Sequence, residues 1–498
     1  MKRHLLPALL ILLSLLLALA LLSNDHEWGD DWAAYVMQAE AILRGDLQEF
    51  IRRNAFTTRT STQFLGPDAY PWGYPTLMAP WVALCGPHNF LCLKWINPIC
   101  YALFLIVLYH LLARRLPPFP TTLLLAVFAV SPTLLKFNDH LLSEIAFLFL
   151  STLGLLLIDD VYRGPLSLAK SLALGAALFL AFFVRTNGIL LVPTLFVAQI
   201  ASLALADPRR LLSDLKRVRP AQAGSAWSGV LPYLVFFLLA LANFLIFPAG
   251  EGSHLERLRI VSRQTLTDNL SAYLIMASQF FQDLRFPQLI YGILLPFVLG
   301  GMVLQARREA HLIAYVVLSY GLFILWPAQQ GVRFLFPLLP ILVYFAYRGM
   351  EATAFALTER HRTLGRWLTI LFWLGVIVIF AWASVSLAGQ NLARGRGHNG
   401  NVLDPLSLEM FAFVRENTPP DGVIAFYKPR ALRLFTDRNA LLIHDCDQLP
   451  LADYAVLRKS RGGVDQVSPQ TIETCNPALQ VTRVFENHKF VVYRLAPR

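Results

Sequence analysis

The sequence predicts an all-α multi-pass membrane protein with about eleven transmembrane helices and a small extracytoplasmic α/β domain at its C-terminal end. Three observations point there. Of 498 residues, 56% are hydrophobic and only 15% charged, and the mean hydropathy is +0.52, too little polar surface to enclose a water-soluble core. The apolar residues gather in runs that reach the roughly 20 residues needed to cross a bilayer. Beyond the last such run the pattern changes to short apolar stretches separated by polar ones.

A formal charge of +11 raises nucleic acid as a partner, but the basic residues sit in short hydrophilic connections between apolar runs, which excludes that class. The 5 cysteines form no metal-binding spacing. Cys85, Cys92 and Cys100 lie in or near apolar stretches and read as packed, inert thiols. Cys446 and Cys475, in the polar tail, are the plausible disulfide partners.

The expected spans centre near Ser14, Ala102, Val127, Phe149, Ala177, Thr194, Phe237, Pro296, Leu318, Leu339 and Gly375. The first run, Leu5 to Leu22 behind Lys2-Arg3, has no small-x-small cleavage site before the acidic stretch that follows, so it reads as a retained anchor. Orientation follows from cationic loops staying on the cytoplasmic side. Alternate connections hold Arg114-Arg115, then Asp159 to Arg163, then Arg209, Arg210, Lys216, Arg217 and Arg219, then Arg307-Arg308, then Arg348 to Arg366. The N-terminus is therefore expected inside and everything after about Ala388 outside.

This divides the chain into a transmembrane domain, residues 1–388, with large outer loops at about 23–88 and 248–286, and an extracytoplasmic domain, residues 389–498. In the latter, "GVIAFY", "ADYAVL" and "KFVVYRL" read as strands, and "DPLSLEMFAFVREN" as a helix behind an Asp-Pro start. No internal repeat points to a solenoid or an inverted-repeat transporter.

The first outer loop opens with "GDDWAAYVMQAEAILRGDL", residues 29–47. Trp28, Trp32 and Tyr35 are residues of the headgroup level, so Asp30 and Asp31 are expected at the outer interface. Tyr35, Val36, Ala39 and Ile42 recur at helical spacing, and an aspartate at that helix start serves either as a cap or as a reacting group. Further on, "AYPWGYPTLMAPW" fixes a kinked approach to the next span through Pro71, Pro75 and Pro80. "NDHLLSEIAFLFL" places Asp139, His140 and Glu144 at another outer edge, His140 and Glu144 one helical turn apart.

Taken in order, an Asp four residues before a Tyr, "YPWGYP", "LLSE", "RTNGILLVP" and "RFLFPLLPIL" resemble the polytopic glycosyltransferases of the GT-C fold. The nearest branch is the bacterial relatives of dolichyl-phosphate-mannose protein mannosyltransferases and of lipid A aminoarabinose transferases. The tail phrase "YKPRALRLFTDRNALL" is similar to what such proteins carry after the last span. The resemblance implies an inverting transferase moving a hexosyl or pentosyl group from a polyprenyl-phosphate donor to a lipid, glycan or protein hydroxyl. The site would face the outer side of an inner (plasma) membrane.

On that resemblance the catalytic acid is Asp31, by its spacing to Tyr35, with Asp30 as the alternative. The physical case is that a hydroxyl is a poor nucleophile until a positioned carboxylate takes its proton. A departing lipid phosphate is best met by arginine, whose fork binds two oxygens, so Arg333 and Arg185 are candidates. Each has a plainer role open to it: Arg333 reaching lipid headgroups, Arg185 pairing with Glu144. Glu144, His140, Asp139, Tyr35 and Tyr74 complete the candidate substrate-binding set. A divalent cation held by Glu144, Asp139, His140 and Asp30 is chemically open but not required, because a monophosphate donor has no diphosphate to bridge. The 248–286 loop, with Arg257, Arg259, Arg263 and Arg285 among apolar residues, reads either as a helix closing over the lipid phosphate or as one resting on headgroups. Two other classes stay open: a transporter or flippase of a lipid-linked glycan, against which the edge placement of the ionisable residues weighs, and a sensor or scaffold built on the tail.

Overall fold

The computed structural model describes residues 2–164, 166–205, 223–251, 261–326, 329–356, 359–397, 401–459, 464 and 466–498. The basic connection with Arg209, Arg210, Lys216, Arg217 and Arg219 lies outside the described residues, as do Arg257 and Arg259. Every expected span centre falls in a helix, yet among the described residues only 6 helices are long and apolar enough to cross a membrane. These are His4–Leu21, Phe90–Ala113, Glu144–Tyr162, Gly229–Ile246, Pro287–Gln305 and Arg362–Ala393. The chain is a multi-pass membrane protein, with fewer membrane-length helices than the hydropathy runs suggest.

The shortfall has local causes. Helix Pro118–Ala129 ends at Val130, and Pro132 starts a separate short helix, Pro132–Phe137, because proline has no N–H to continue the ladder. Helix Leu168–Val184 stops where Arg185 turns to extended backbone at φ −148 and ψ 133. Thr186–Ser202 and Ala310–Ile324 are also apolar but short. In Leu339–Ala356, Arg348 and Glu351 interrupt the apolar surface and pair with each other at 2.7 Å.

Inside the bundle, small residues set the closest contact. A Cβ on Gly301 would stand 2.1 Å from the Phe345 carbonyl oxygen, and one on Gly349 would stand 2.0 Å from that of Phe297, so helices Pro287–Gln305 and Leu339–Ala356 touch backbone to backbone. On the outside, helix Gly229–Ile246 exposes Phe237, Leu241, Phe244 and Leu245, a face suited to lipid chains.

The tail is a mixed sheet with helices. Strands β1 (Val423–Ala425), β2 (Asn439–Leu441), β3 (Tyr454–Arg458), β4 (Leu479–Glu486) and β5 (Phe490–Pro497) lie in the order β2-β1-β3-β5-β4. β1 is parallel to β2 and β3, while β5 is antiparallel to β3 and β4. The three expected strands are β1, β3 and β5. The expected helix is Pro405–Asn417, capped by Asp404, whose side chain accepts from the Ser407 N–H at 2.9 Å. Helix Glu359–Ala393 carries the chain across residue 388 before the tail begins.

The tail docks on the segment between helices His4–Leu21 and Phe90–Ala113. The Leu442 N–H donates to Ser61 Oγ (2.9 Å) and the Leu442 carbonyl accepts from the Thr62 N–H (2.9 Å). Trp28 packs among Phe411, Phe426, Tyr427 and Phe490. Cys446 and Cys475 form a disulfide across a Cα separation of 5.3 Å. Cys85 and Cys92 are bonded as well, at a Cα separation of 6.4 Å, which corrects their reading as inert thiols: Asn89 accepts from the Cys92 N–H and folds the chain back after helix Gly73–Cys85. Cys100 is the free, buried thiol.

Candidate active site

Helix Asp31–Arg44 starts within the acidic pair, and side chains one residue apart at a helix start diverge by roughly 100°. The two carboxylates consequently meet different surroundings. Asp30 turns toward the tail, where it accepts from the Arg430 N–H at 3.0 Å, with Lys428 Nζ 3.9 Å away. Arg430 sits in the first turn of helix Pro429–Thr436, so Asp30 satisfies an otherwise orphaned N–H of a helix 400 residues away in sequence; it makes no such bond to its own helix. Burial raises the Asp30 pKa, against the opposing charges of Lys428 and Arg430. Asp30 does not line the cavity described next.

Asp31 opens onto a cavity of about 230 Å³ lined also by Tyr35, Tyr70, Glu144, Arg185 and Arg333. Its side chain is 37% exposed, against 7% for that of Asp30. Tyr70 donates to Asp31 Oδ1 at 2.5 Å, and Arg333 Nη1 lies 3.8 Å from Oδ2. Glu144 Oε1 is 2.8 Å from Arg185 Nη1 and 3.6 Å from Arg333 Nη1, while Oε2 is buried with no hydrogen-bond partner. Ser143 Oγ joins the group, 3.2 Å from both the Tyr35 hydroxyl and Arg185 Nη1. The expected pairing of Arg185 with Glu144 is thus present, and it lies inside the cavity.

Local sequence explains each placement. Glu144 occupies the first turn of helix Glu144–Ile158, where the helix dipole favours a negative charge. Arg185 stands at the break after Leu168–Val184, its guanidinium 5.0 Å from the centre of the Phe334 ring. Arg333 is held by Gln330, whose side-chain oxygen accepts from Nη2 at 2.5 Å and whose carbonyl accepts from Nε at 3.1 Å. Behind that segment lies helix Arg263–Met276, in the stretch expected as the second large loop: Asn269 donates to the Trp326 carbonyl (2.6 Å), and the Tyr273 hydroxyl accepts from the Gln330 N–H (3.3 Å). The described part of that loop braces the cavity wall; Arg263 and Arg285 do not line it.

Three candidates stand elsewhere. Tyr74 donates to Asn97 in the bundle interior at 3.1 Å. Asp139 accepts from Lys94 (2.8 Å) and from the Ser23 hydroxyl (2.7 Å), tying the first span to two later segments. His140 faces Glu27 at 3.2 Å and stacks on Phe137, and that contact with His140, against the cost of burial, lowers the Glu27 pKa. Among the residues at or beside the site that went unread in the sequence are Tyr70 and Arg430. Tyr70 belongs to "AYPWGYP", a stretch that spoke only through its prolines and Tyr74. Arg430 lies in the tail phrase; fully buried, it donates to Asn54 Oδ1 (3.1 Å), the Leu65 carbonyl (3.1 Å), the Pro67 carbonyl (2.7 Å) and the Tyr70 hydroxyl (3.3 Å).

The expected cation set of Glu144, Asp139, His140 and Asp30 does not assemble. Among the described residues the group of acids and histidine close enough to share an ion is Asp159, Glu309 and His311, buried and within 4.8 Å of one another. It lies at the opposite end of helix Glu144–Ile158 from the cavity. The three are able to coordinate an ion, and Arg115 contacts each of them, at 2.5 Å, 2.9 Å and 3.3 Å.

No family model and no curated protein sequence matches the chain. Solved structures do. The archaeal oligosaccharyltransferase AglB of Archaeoglobus fulgidus, in complex with an inhibitory peptide and a dolichol-phosphate, aligns with a TM-score of 0.53 at 12% identity, over 99% of this chain and 74% of that one. ArnT of Cupriavidus metallidurans, bound to undecaprenyl phosphate, aligns with a TM-score of 0.52 at 13% identity, over 98% and 97%. The chain shares the fold of these solved structures. The mycobacterial arabinofuranosyltransferase AftD agrees, with a TM-score of 0.51 at 14% identity, this chain spanning 41% of its length. One cavity thus holds a partly exposed carboxylate, Asp31, with Arg333 3.8 Å from it and Arg185 beside Glu144, groups able to accept a proton and to hold an oxyanion.

Proposed function

We propose that the chain is an inverting glycosyltransferase that moves a sugar from a polyprenyl-phosphate donor to an acceptor hydroxyl, with Asp31 as general base. The observation that carries this reading is the convergence of Asp31, Arg185 and Arg333 on one cavity. The shared fold supports it, since two of the aligned proteins were captured with lipid phosphates. Asp31 takes the proton of the acceptor hydroxyl as its oxygen bonds to the anomeric carbon. The bond from that carbon to the phosphate oxygen breaks on the opposite face, and the phosphate leaves with the electron pair. Attack and departure on opposite faces invert the configuration. Arg333 and Arg185 donate to the phosphate as its charge grows, and Glu144 orients both guanidiniums while its unpartnered Oε2 accepts from a sugar hydroxyl. A monophosphate leaving group met by two guanidiniums needs no cation to bridge it.

On this reading residues 1–388 hold the catalytic machinery, and residues 389–498 form an accessory domain on the same, extracytoplasmic face of the plasma membrane. The test is sugar transfer from labelled polyprenyl-phosphate sugars by the full chain in liposomes. Asp31→Asn is expected to lower turnover by roughly 10²- to 10⁴-fold. Undiminished transfer by that variant would remove Asp31 from the role. Mass spectrometry of envelope lipids, glycans and proteins with and without the gene then names the acceptor.

A further inference from the structure

A second cavity, of about 480 Å³, opens near the far end of helix Asp31–Arg44, where helices Leu47–Thr60 and Pro429–Thr436 meet it. It shares no lining residue with the first. Arg433 lines it and is only 5% exposed. Among the described residues its guanidinium makes no ion pair; Nη1 is enclosed without a hydrogen-bond partner, and the group lies 5.6 Å from the centre of the Phe50 ring. The other arginines here are already engaged: Arg44 with Glu40 at 2.8 Å, Arg52 with Glu49 at 2.6 Å, and Arg53 with Asp437 at 2.5 Å.

A buried guanidinium without an ion pair is costly, because its removal from water is only partly compensated. Burial, together with the charges of Arg53 and Arg430 and against those of Asp437 and Glu49, pushes the Arg433 pKa down to about 9, so it is still a cation at neutral pH. Glu40, Asp46, Glu49 and Asp437 also line the cavity and repel a polyanion, while accepting hydrogen bonds from hydroxyls. Phe50 and Pro87 add apolar surface against which a sugar ring packs. One oxyanion on a polyhydroxylated, ring-shaped body satisfies all three kinds of wall.

We propose that this cavity binds an acidic sugar, its carboxylate or phosphate oxygens held by Arg433 and its hydroxyls by the wall carboxylates. The site stands whatever reaction the Asp31 cavity performs. The test is the thermal unfolding midpoint of the full chain in detergent, titrated with glucuronate, glucose 6-phosphate or glucose at an ionic strength held constant with sodium chloride. Both acidic sugars are expected to raise the midpoint saturably and glucose to leave it unchanged, because only a ligand of the folded state stabilises it. In Arg433→Met, which removes a charge that makes no ion pair and is therefore expected to fold, the apparent affinity should fall at least about tenfold. An equal response to glucose, no response to either acidic sugar, or an unchanged affinity in Arg433→Met would overturn the proposal. The wild-type titrations decide it even where the variant does not fold.

Discussion

The Tyr70 hydroxyl stands between Asp31 and Arg430, donating to the carboxylate at 2.5 Å and accepting from the tail arginine at 3.3 Å. Gln38 fixes the same tyrosine from behind, its amide bonded to the Tyr70 carbonyl (3.0 Å) and N–H (3.1 Å). Asp31 is therefore positioned through a contact with the C-terminal tail. Tyr70→Phe should lower turnover about tenfold, the scale of one lost hydrogen bond to a charged group, and should leave the unfolding midpoint nearly unchanged. Steady-state kinetics beside a melting curve check both.

Adjacent aspartates should separate cleanly by mutation. Asp31→Asn is expected to abolish most transfer without loss of stability. Asp30→Ala should cost roughly 1–2 kcal/mol of stability through the lost helix cap, with turnover falling only as far as the tail loosens. Paired measurement of unfolding and transfer on both variants tells whether the roles are divided in this way.

Arg185→Lys and Arg333→Lys each keep a positive charge and lose the planar fork. Each is expected to reduce kcat/KM for the lipid donor by about 10- to 100-fold, since an ammonium makes a single contact where a guanidinium makes two. A rate unchanged in Arg333→Lys would point to headgroup contact as the role of that residue.

Gly66 has φ +110, and a Cβ there would stand 2.7 Å from the Tyr70 hydroxyl. Gly66→Ala should therefore combine backbone strain of about 1–3 kcal/mol with displacement of Tyr70 from Asp31. Both a lowered midpoint and a lowered turnover are expected, in contrast to Tyr70→Phe.

His26 sets an acid limit on stability. Its Nε2 accepts from the Leu141 N–H at 3.1 Å and its Nδ1 donates to the Glu27 carbonyl at 3.0 Å, an arrangement that requires the neutral ring. Burial, with Lys94 nearby, holds its pKa well below the usual 6.5. As pH falls below 6.5 the unfolded chain takes up a proton that the folded chain refuses, so stability declines by up to about 1.4 kcal/mol per pH unit. Above that pH the contribution is flat. Unfolding midpoints between pH 5.5 and 7.5 should show this slope, and His26→Gln should flatten it.

The helical bundle and three of the five tail strands were legible because hydrophobic burial writes itself into runs and alternation. The membrane-length count was not, because hydropathy does not see where Pro132 or Arg185 ends a helix. In the site, Asp31, Tyr35, Glu144, Arg185 and Arg333 were recoverable as ionisable or aromatic residues at the edges of apolar runs. Asp139, His140 and Tyr74 carry the same signature, yet bind Lys94, Glu27 and Asn97, since a polar group at a membrane edge needs a partner whether or not it reacts. Arg430 escaped notice for the opposite reason: its partners lie more than 350 residues away, and no local pattern records such a distance.

Arg430 grips the Leu65 and Pro67 carbonyls and the Tyr70 hydroxyl at once. A chain severed after Ala393 would retain every acid and base of the first cavity, yet the stretch from Leu65 to Tyr70 would lose its common anchor in a single cut. Evolutionary trimming of this tail is thereby coupled to the chemistry of a loop that precedes it by most of the polypeptide.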